Sequence, residues 1–178
     1  EVMLQLVALG SVASGCVAVG GHQGAAGKGR SAAGGCSLRR RFEVFRVGQL
    51  TPNADQAVRE GDWLRITLVV ETSAPRYFVA VTDAVPGGLR PTDLTLSSVA
   101  GLDLEKVSDQ GSSWFGTRRL DPRTPRFYAE FLPAGKYEVH YFAHAGNAGD
   151  SLAPPASMEL MYGNASNART AASRLQIM

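Results

Sequence analysis

Histidine, cysteine and long apolar runs are scarce in this 178-residue chain, and each scarcity removes a class of function. The three histidines are His22, His140 and His144. His140 and His144 have the four-residue spacing of a helical metal pair, but they lie in an alternating segment. On a strand they would share a face about 13 Å apart, at ~3.3 Å rise per residue, too far for one ion. No metal site and no cofactor is expected. No apolar run approaches the ~18 residues of a membrane-spanning helix. Charge of one sign is also missing: 18 basic residues against 16 acidic leave a formal +2, too little to steer the chain toward nucleic acid. The arginines that cluster, Arg39, Arg40, Arg41 and Arg46, then Arg118, Arg119, Arg123 and Arg126, have no stacking aromatics interleaved. Both groups read as solvated faces.

Basic residues are absent before Lys28. That bears on the run from Val2 to Val12, which ends in Ala13-Ser14-Gly15-Cys16 and imitates a lipoprotein attachment box. Signal peptides open with positive charge, which this run lacks, so a β-strand at Val2 to Leu9 is the expectation, with a lipid anchor at Cys16 as its rival. Cys16 and Cys36 are the two cysteines and flank a stretch made largely of glycine and alanine. A disulfide there would stabilise by about 3 kcal/mol and would require an oxidising compartment. Two separate thiols on a loop are the alternative, and mass spectrometry with and without reductant separates them.

Motifs for catalysis fail in turn. Gly27-Lys28 lacks the glycine spacing and the following Ser or Thr of a phosphate-binding loop. Gly111-Ser112-Ser113-Trp114-Phe115-Gly116 is not a nucleophile elbow. Asp83, Asp103, Glu105 and Asp109 could supply an acid/base pair, but nothing in the sequence makes any two converge. The chain is not expected to be an enzyme.

What is abundant is period-two alternation. Leu64, Ile66, Leu68 and Val70 point one way; Trp63, Arg65, Thr67 and Glu71 point the other. Val69 breaks the polarity of that outer face, which predicts a central, partly covered strand. Further strands are expected at Leu38–Val47, Arg76–Ala84, Asp93–Ser97, Leu102–Val107, Ser113–Arg118, Arg126–Phe131, Lys136–Ala145, Met158–Tyr162 and Ala172–Met178. Turn signals such as Glu60-Gly61-Asp62 and Val85-Pro86-Gly87-Gly88 punctuate them. Asn53 to Glu60 is the most that helical periodicity claims. The expected fold is an all-β antiparallel sandwich with at most that one short helix, a single domain over residues 1–178, carrying a Gly-rich surface insertion at about 15–37.

Several of these segments, in this order, resemble one family. They are Gly61-Asp62-Trp63-Leu64-Arg65-Ile66-Thr67-Leu68; Val81-Thr82-Asp83-Ala84-Val85-Pro86-Gly87-Gly88-Leu89; and Phe131-Leu132-Pro133-Ala134-Gly135-Lys136-Tyr137. Ala153-Pro154-Pro155 through Met158-Glu159-Leu160-Met161-Tyr162, then Ala168-Arg169-Thr170, is the specific part. Together they are similar to the C-terminal macroglobulin-like domain of bacterial alpha-2-macroglobulins, over about Leu38 to Met178. The resemblance implies an Ig-like, macroglobulin-like sandwich inside a larger protease-trapping protein of the periplasm or cell envelope of a Gram-negative bacterium. Its partners would be neighbouring domains of the same polypeptide, chiefly a thioester-carrying helical domain, and, through the parent, target proteases. Met161 and Tyr162 match the family's Met-Tyr pair, which shields the thioester from water. The alternative for these two residues is plain core packing. Gly163-Asn164 and the Gly-rich insertion depart from the family pattern, and the Cys-Glu-Gln thioester motif is absent, as befits an element of another domain. A generic adhesion or scaffold domain of a surface lipoprotein is the rival function.

Overall fold

The computed structural model describes residues 16–18, 35–45, 57–92, 113–162 and 168–178. All regular structure among them is strand. Twelve strands form two five-stranded sheets and a two-stranded ribbon. The first sheet takes β1 (Cys16–Ala18), β2 (Cys36–Phe45), β3 (Trp63–Thr72), β8 (Gly135–Ala145) and β5 (Leu89–Thr92), in that spatial order. The second takes β11 (Ala168–Arg169), β10 (Ser157–Leu160), β4 (Arg76–Thr82), β7 (Arg126–Leu132) and β6 (Thr117–Arg119). The ribbon pairs β12 (Ser173–Ile177) with β9 (Gly149–Ala153). Every pairing between these strands is antiparallel except β1 with β2.

The alternation on β3 explains its place. Leu64, Ile66, Leu68 and Val70 are fully buried, and the outward Thr67 and Val69 are nearly so, because β2 and β8 flank the strand on both sides. On the outer face Glu43 accepts from Arg65 Nε at 2.8 Å and from the Thr67 hydroxyl at 3.4 Å. From the other sheet, Val79, Val81, Phe127, Ala129, Leu132 and Met158 join the same hydrophobic core. Phe127 and Tyr141 face each other across the layers, ring centroids 6.1 Å apart. Leu175 and Ile177 of the ribbon complete this core.

The turn at Gly87–Gly88 shows how local backbone fixes the packing. Gly88 has φ +82°, and a Cβ there would lie 2.8 Å from both the Asn147 carbonyl oxygen and Ile177 Cδ1. Only glycine lets β5 start where it does.

Several expectations are corrected. Of the span expected to be a surface insertion, β1 and the start of β2 are described, and residues 19–34 lie outside the described residues. Ser113 and Trp114 form a turn, so the strand expected from Ser113 begins at Thr117. The strand expected to run through Tyr162 ends at Leu160. Ala57–Glu60 is not helical: Val58 bridges to Ile177, and Glu60 opens a turn. Strands β5, β9 and β11 were not anticipated. The strands expected at Val2–Leu9, Asp93–Ser97 and Leu102–Val107 lie outside the described residues.

Candidate functional site

Met161 and Tyr162 leave the end of β10 at one rim of the second sheet. β10 runs antiparallel to β4, with Glu159 opposite Ala80 and Leu160 opposite Val79. One step further the Met161 N–H donates to the Phe78 carbonyl at 2.8 Å. Met161 is 53% exposed and Tyr162 71%, so neither fills the core. The Phe78 ring meets the Tyr162 ring edge to face, 5.2 Å between centroids and 86° between planes. Next to Phe78 on β4, Tyr77 is exposed and packs on Phe131 at 4.8 Å. Trp114, also exposed, lies 6.2 Å from Phe131 and 6.2 Å from Tyr137. Phe78 with Tyr162 forms one aromatic group, Tyr77, Phe131, Trp114 and Tyr137 another, and Met161 adds a thioether beside the first. Large apolar side chains gathered on a surface mark a contact site more often than scattered ones do. Rings and a methionine can exclude water from a bond they cover while remaining releasable.

The two cysteines are brought into register. The parallel pairing of β1 with β2 sets Cys16 opposite Cys36, then Val17 opposite Ser37 and Ala18 opposite Leu38. Cys36 is buried, its Sγ 3.9 Å from the Thr72 hydroxyl.

A polar cluster lies in the core where a solvated face was expected. Arg40 is 3% exposed through its side chain and its partner Asp83 is 0%. The guanidinium donates to Asp83 Oδ1 at 2.6 Å, to the Ala84 carbonyl at 3.4 Å and to the Ala153 carbonyl at 3.3 Å. The Tyr141 hydroxyl donates to Asp83 Oδ2 at 2.8 Å. Burial raises the Asp83 carboxyl above its ordinary range, while the Arg40 charge and the hydrogen bonds from Tyr141 and Arg40 pull it down. Burial, then the Asp83 charge, holds the Tyr141 phenol well above its ordinary value. Arg40 comes from β2, Asp83 from just beyond β4, Tyr141 from β8 and the Ala153 carbonyl from β9. The cluster joins both sheets and the ribbon.

His140 and His144 lie on β8 as expected, His144 against Trp63 with ring centroids 5.0 Å apart. Among the described residues no three His, Cys, Asp or Glu side chains gather as metal ligands, and no helix is long and apolar enough to cross a membrane. The paired arginines Arg39 and Arg41 face solvent, near Glu71 and Glu138.

The family model described as Bacterial Alpha-2-macroglobulin MG10 domain matches residues 35–164 of the chain. No curated protein matches it. Among solved structures, the Escherichia coli alpha-2-macroglobulin activated by porcine elastase superposes with a TM-score of 0.66 at 18% identity, over 82% of this chain and 13% of that one. The native Escherichia coli protein from domain MG7 to its C-terminus gives 0.66 at 18%, over 82% of this chain and 24% of that one. Salmonella alpha-2-macroglobulin reacted with methylamine gives 0.62 at 17%, over 83% of this chain and 9% of that one. The chain therefore spans a small fraction of these proteins and shares the fold of one part of each.

Proposed function

This chain belongs to the bacterial alpha-2-macroglobulin MG10 domain family, and from that membership we propose that it is a non-catalytic module of a larger protease-trapping protein, packing through Met161 and Tyr162 against a neighbouring helical domain. In that position the pair keeps water from a reactive thioester until a protease cleaves the parent and the domains separate.

The observation that carries this reading is the exposure of two adjacent large side chains where β10 ends, within the family match, beside the further exposed rings of Phe78 and Tyr77. A surface of this kind costs solubility in isolation and is explained by a partner that covers it. The buried Arg40–Asp83–Tyr141 cluster supplies no rival site, because its groups are consumed by one another. The Salmonella relative is described as reacted with methylamine and an Escherichia coli one as activated by trypsin. Carried to this chain's parent, these descriptions suggest an amine-sensitive bond and a protease trigger.

The same reading places the protein in the periplasm or cell envelope. For that compartment we propose a disulfide between Cys16 and Cys36, which the structure does not itself contain: their backbones stand opposite each other on β1 and β2, and neighbouring strands lie about 4.7–4.9 Å apart, inside the Cα range a disulfide spans.

The test is kinetic. In the full-length, thioester-bearing parent, replacing Met161 and Tyr162 together by Ala should speed loss of the thioester in methylamine several-fold. An unchanged rate rejects the shielding role.

A further inference from the structure

Phe78 sits beside that pair in a conformation its residue type rarely takes. Its φ is +53°, in the left-handed region that a Cβ disfavours and that Gly or Asn enters far more readily. No inserted residue forces this. The ladder between β4 and β7 keeps one register on both sides, Tyr77 opposite Phe131 and Val79 opposite Ala129. Nor does the core demand it, for the side chain is 45% exposed. Such outliers persist where surrounding contacts over-determine them, and often where function uses the result. Two described contacts lead to the same place: the Phe78 carbonyl holds the Met161 N–H at 2.8 Å, and its ring meets that of Tyr162 edge to face.

We infer that Phe78 is a positioning residue, held in left-handed backbone so that its carbonyl and ring together fix Met161 and Tyr162 beyond the last ladder pair of β10. Strand ends fray, and a tyrosine just past one would sample several rotamers. Braced by Phe78, the ring is ordered before it meets a partner, and less rotamer freedom is lost on docking. The functional meaning of this order rests on the shielding role proposed above; the order itself does not.

Two variants of the 178-residue chain separate ring from backbone. Phe78→Gly keeps the conformation and loses the ring, and Phe78→Tyr keeps both. Phe78→Asn, which also accepts positive φ, replaces the Gly variant if that one unfolds. In protein carrying 13C-labelled tyrosine, a Tyr162→Phe control identifies the Tyr162 signal among the five tyrosines. Phe78→Gly should move that signal toward its free-tyrosine position and narrow it, with melting shifted by no more than roughly 2–4 °C. Phe78→Tyr should leave it in place. In the full-length parent, Phe78→Gly should also raise the methylamine rate, by less than the double alanine variant does. An unmoved Tyr162 signal in Phe78→Gly overturns the inference whatever the parent does. A moved signal, with the double alanine variant's methylamine rate unchanged, upholds the positioning and rejects the shielding.

Discussion

Arg40 is where the residue scale is most instructive. It shares strand parity with Leu38, Phe42 and Val44, two of them buried, so the alternation of β2 already pointed it inward. Reading Arg39, Arg40 and Arg41 as one solvated run overlooked that successive strand residues face opposite ways. What the sequence could not reveal is the partner. Asp83 and Tyr141 lie 43 and 58 residues apart from Arg40 and Asp83 respectively, and only the packing of the two sheets brings the three together. Removing one member strands the others in low dielectric, so Arg40→Met should lower stability by about 3–5 kcal/mol. Arg41→Met, which loses a half-exposed pair with Glu138 at 3.2 Å, should cost about 0–1 kcal/mol. Urea midpoints compare the two, and equal costs would refute the clamp. Tyr141 gives a second test at this scale. An unfolded tyrosine ionises near pH 10, whereas in the fold the phenol keeps its proton well above that. A group whose folded pKa is raised contributes stability fully below its unfolded pKa and loses it as pH rises through the folded value. Stability should therefore fall from about pH 10 upward, and Tyr141→Phe should flatten that limb. Phenolate absorbance, compared with that of Tyr141→Phe, should show Tyr141 ionising only on unfolding.

At the scale of the strand, legibility followed burial. β3, β4, β7 and β8 came out of the pattern nearly to the residue, because each buries an alternate row in the core, even though Thr67 and Val69 of β3 and Phe142 of β8 are buried on the opposite face. β5, β9 and β11 were missed for the converse reason. They are two to five residues long, hold Pro, Gly, Asp or Arg, and are strands only because a neighbour supplies the ladder. The exposed rim was half legible. Met161 and Tyr162 came from resemblance, but Phe78 gave only a faint signal, two adjacent aromatics in a strand where alternation would place one outside. Since Met161 and Tyr162 are exposed, replacing both by Ala should shift the melting of this chain by no more than roughly 2–4 °C. A loss near 10 °C would mean that they support the fold itself. β1 and β2 carry their own prediction. If Cys16 and Cys36 are bonded, non-reducing mass spectrometry should find the linked peptides in protein exported to an oxidising compartment, and reduction should cost about 3 kcal/mol. Intact thiols in such protein would contradict the pairing.

The whole molecule sets the boundary of what folds. The family match ends at residue 164, yet the sandwich does not. β12 pairs with β9 along five residues, and Ile177 bridges to Val58. Beyond it, the Met178 N–H donates to the Val58 carbonyl at 3.0 Å, and the Glu60 N–H donates to the Met178 carbonyl at 2.8 Å. These bonds hold the approach to β3, the central strand, from its N-terminal side. Leu175 and Ile177 are both buried in the common core, and Ile177 Cδ1 packs where a side chain on Gly88 would otherwise stand. Losing two buried aliphatic side chains costs about 2–5 kcal/mol each, against a total stability of about 5–15 kcal/mol for a domain. Removing residues 173–178 also leaves the edges of β9 and of the Val58–Glu60 segment without backbone partners, a further penalty of the same sign. The truncated chain should therefore lack a cooperative thermal transition, or melt more than ~10 °C below the full chain, with dye-accessible apolar surface. Circular dichroism and calorimetry decide it. A truncated chain that melts within a few degrees of the parent would show that the ribbon only decorates the sandwich, and that the clamp formed by Arg40, Asp83 and Tyr141 holds the two sheets without it.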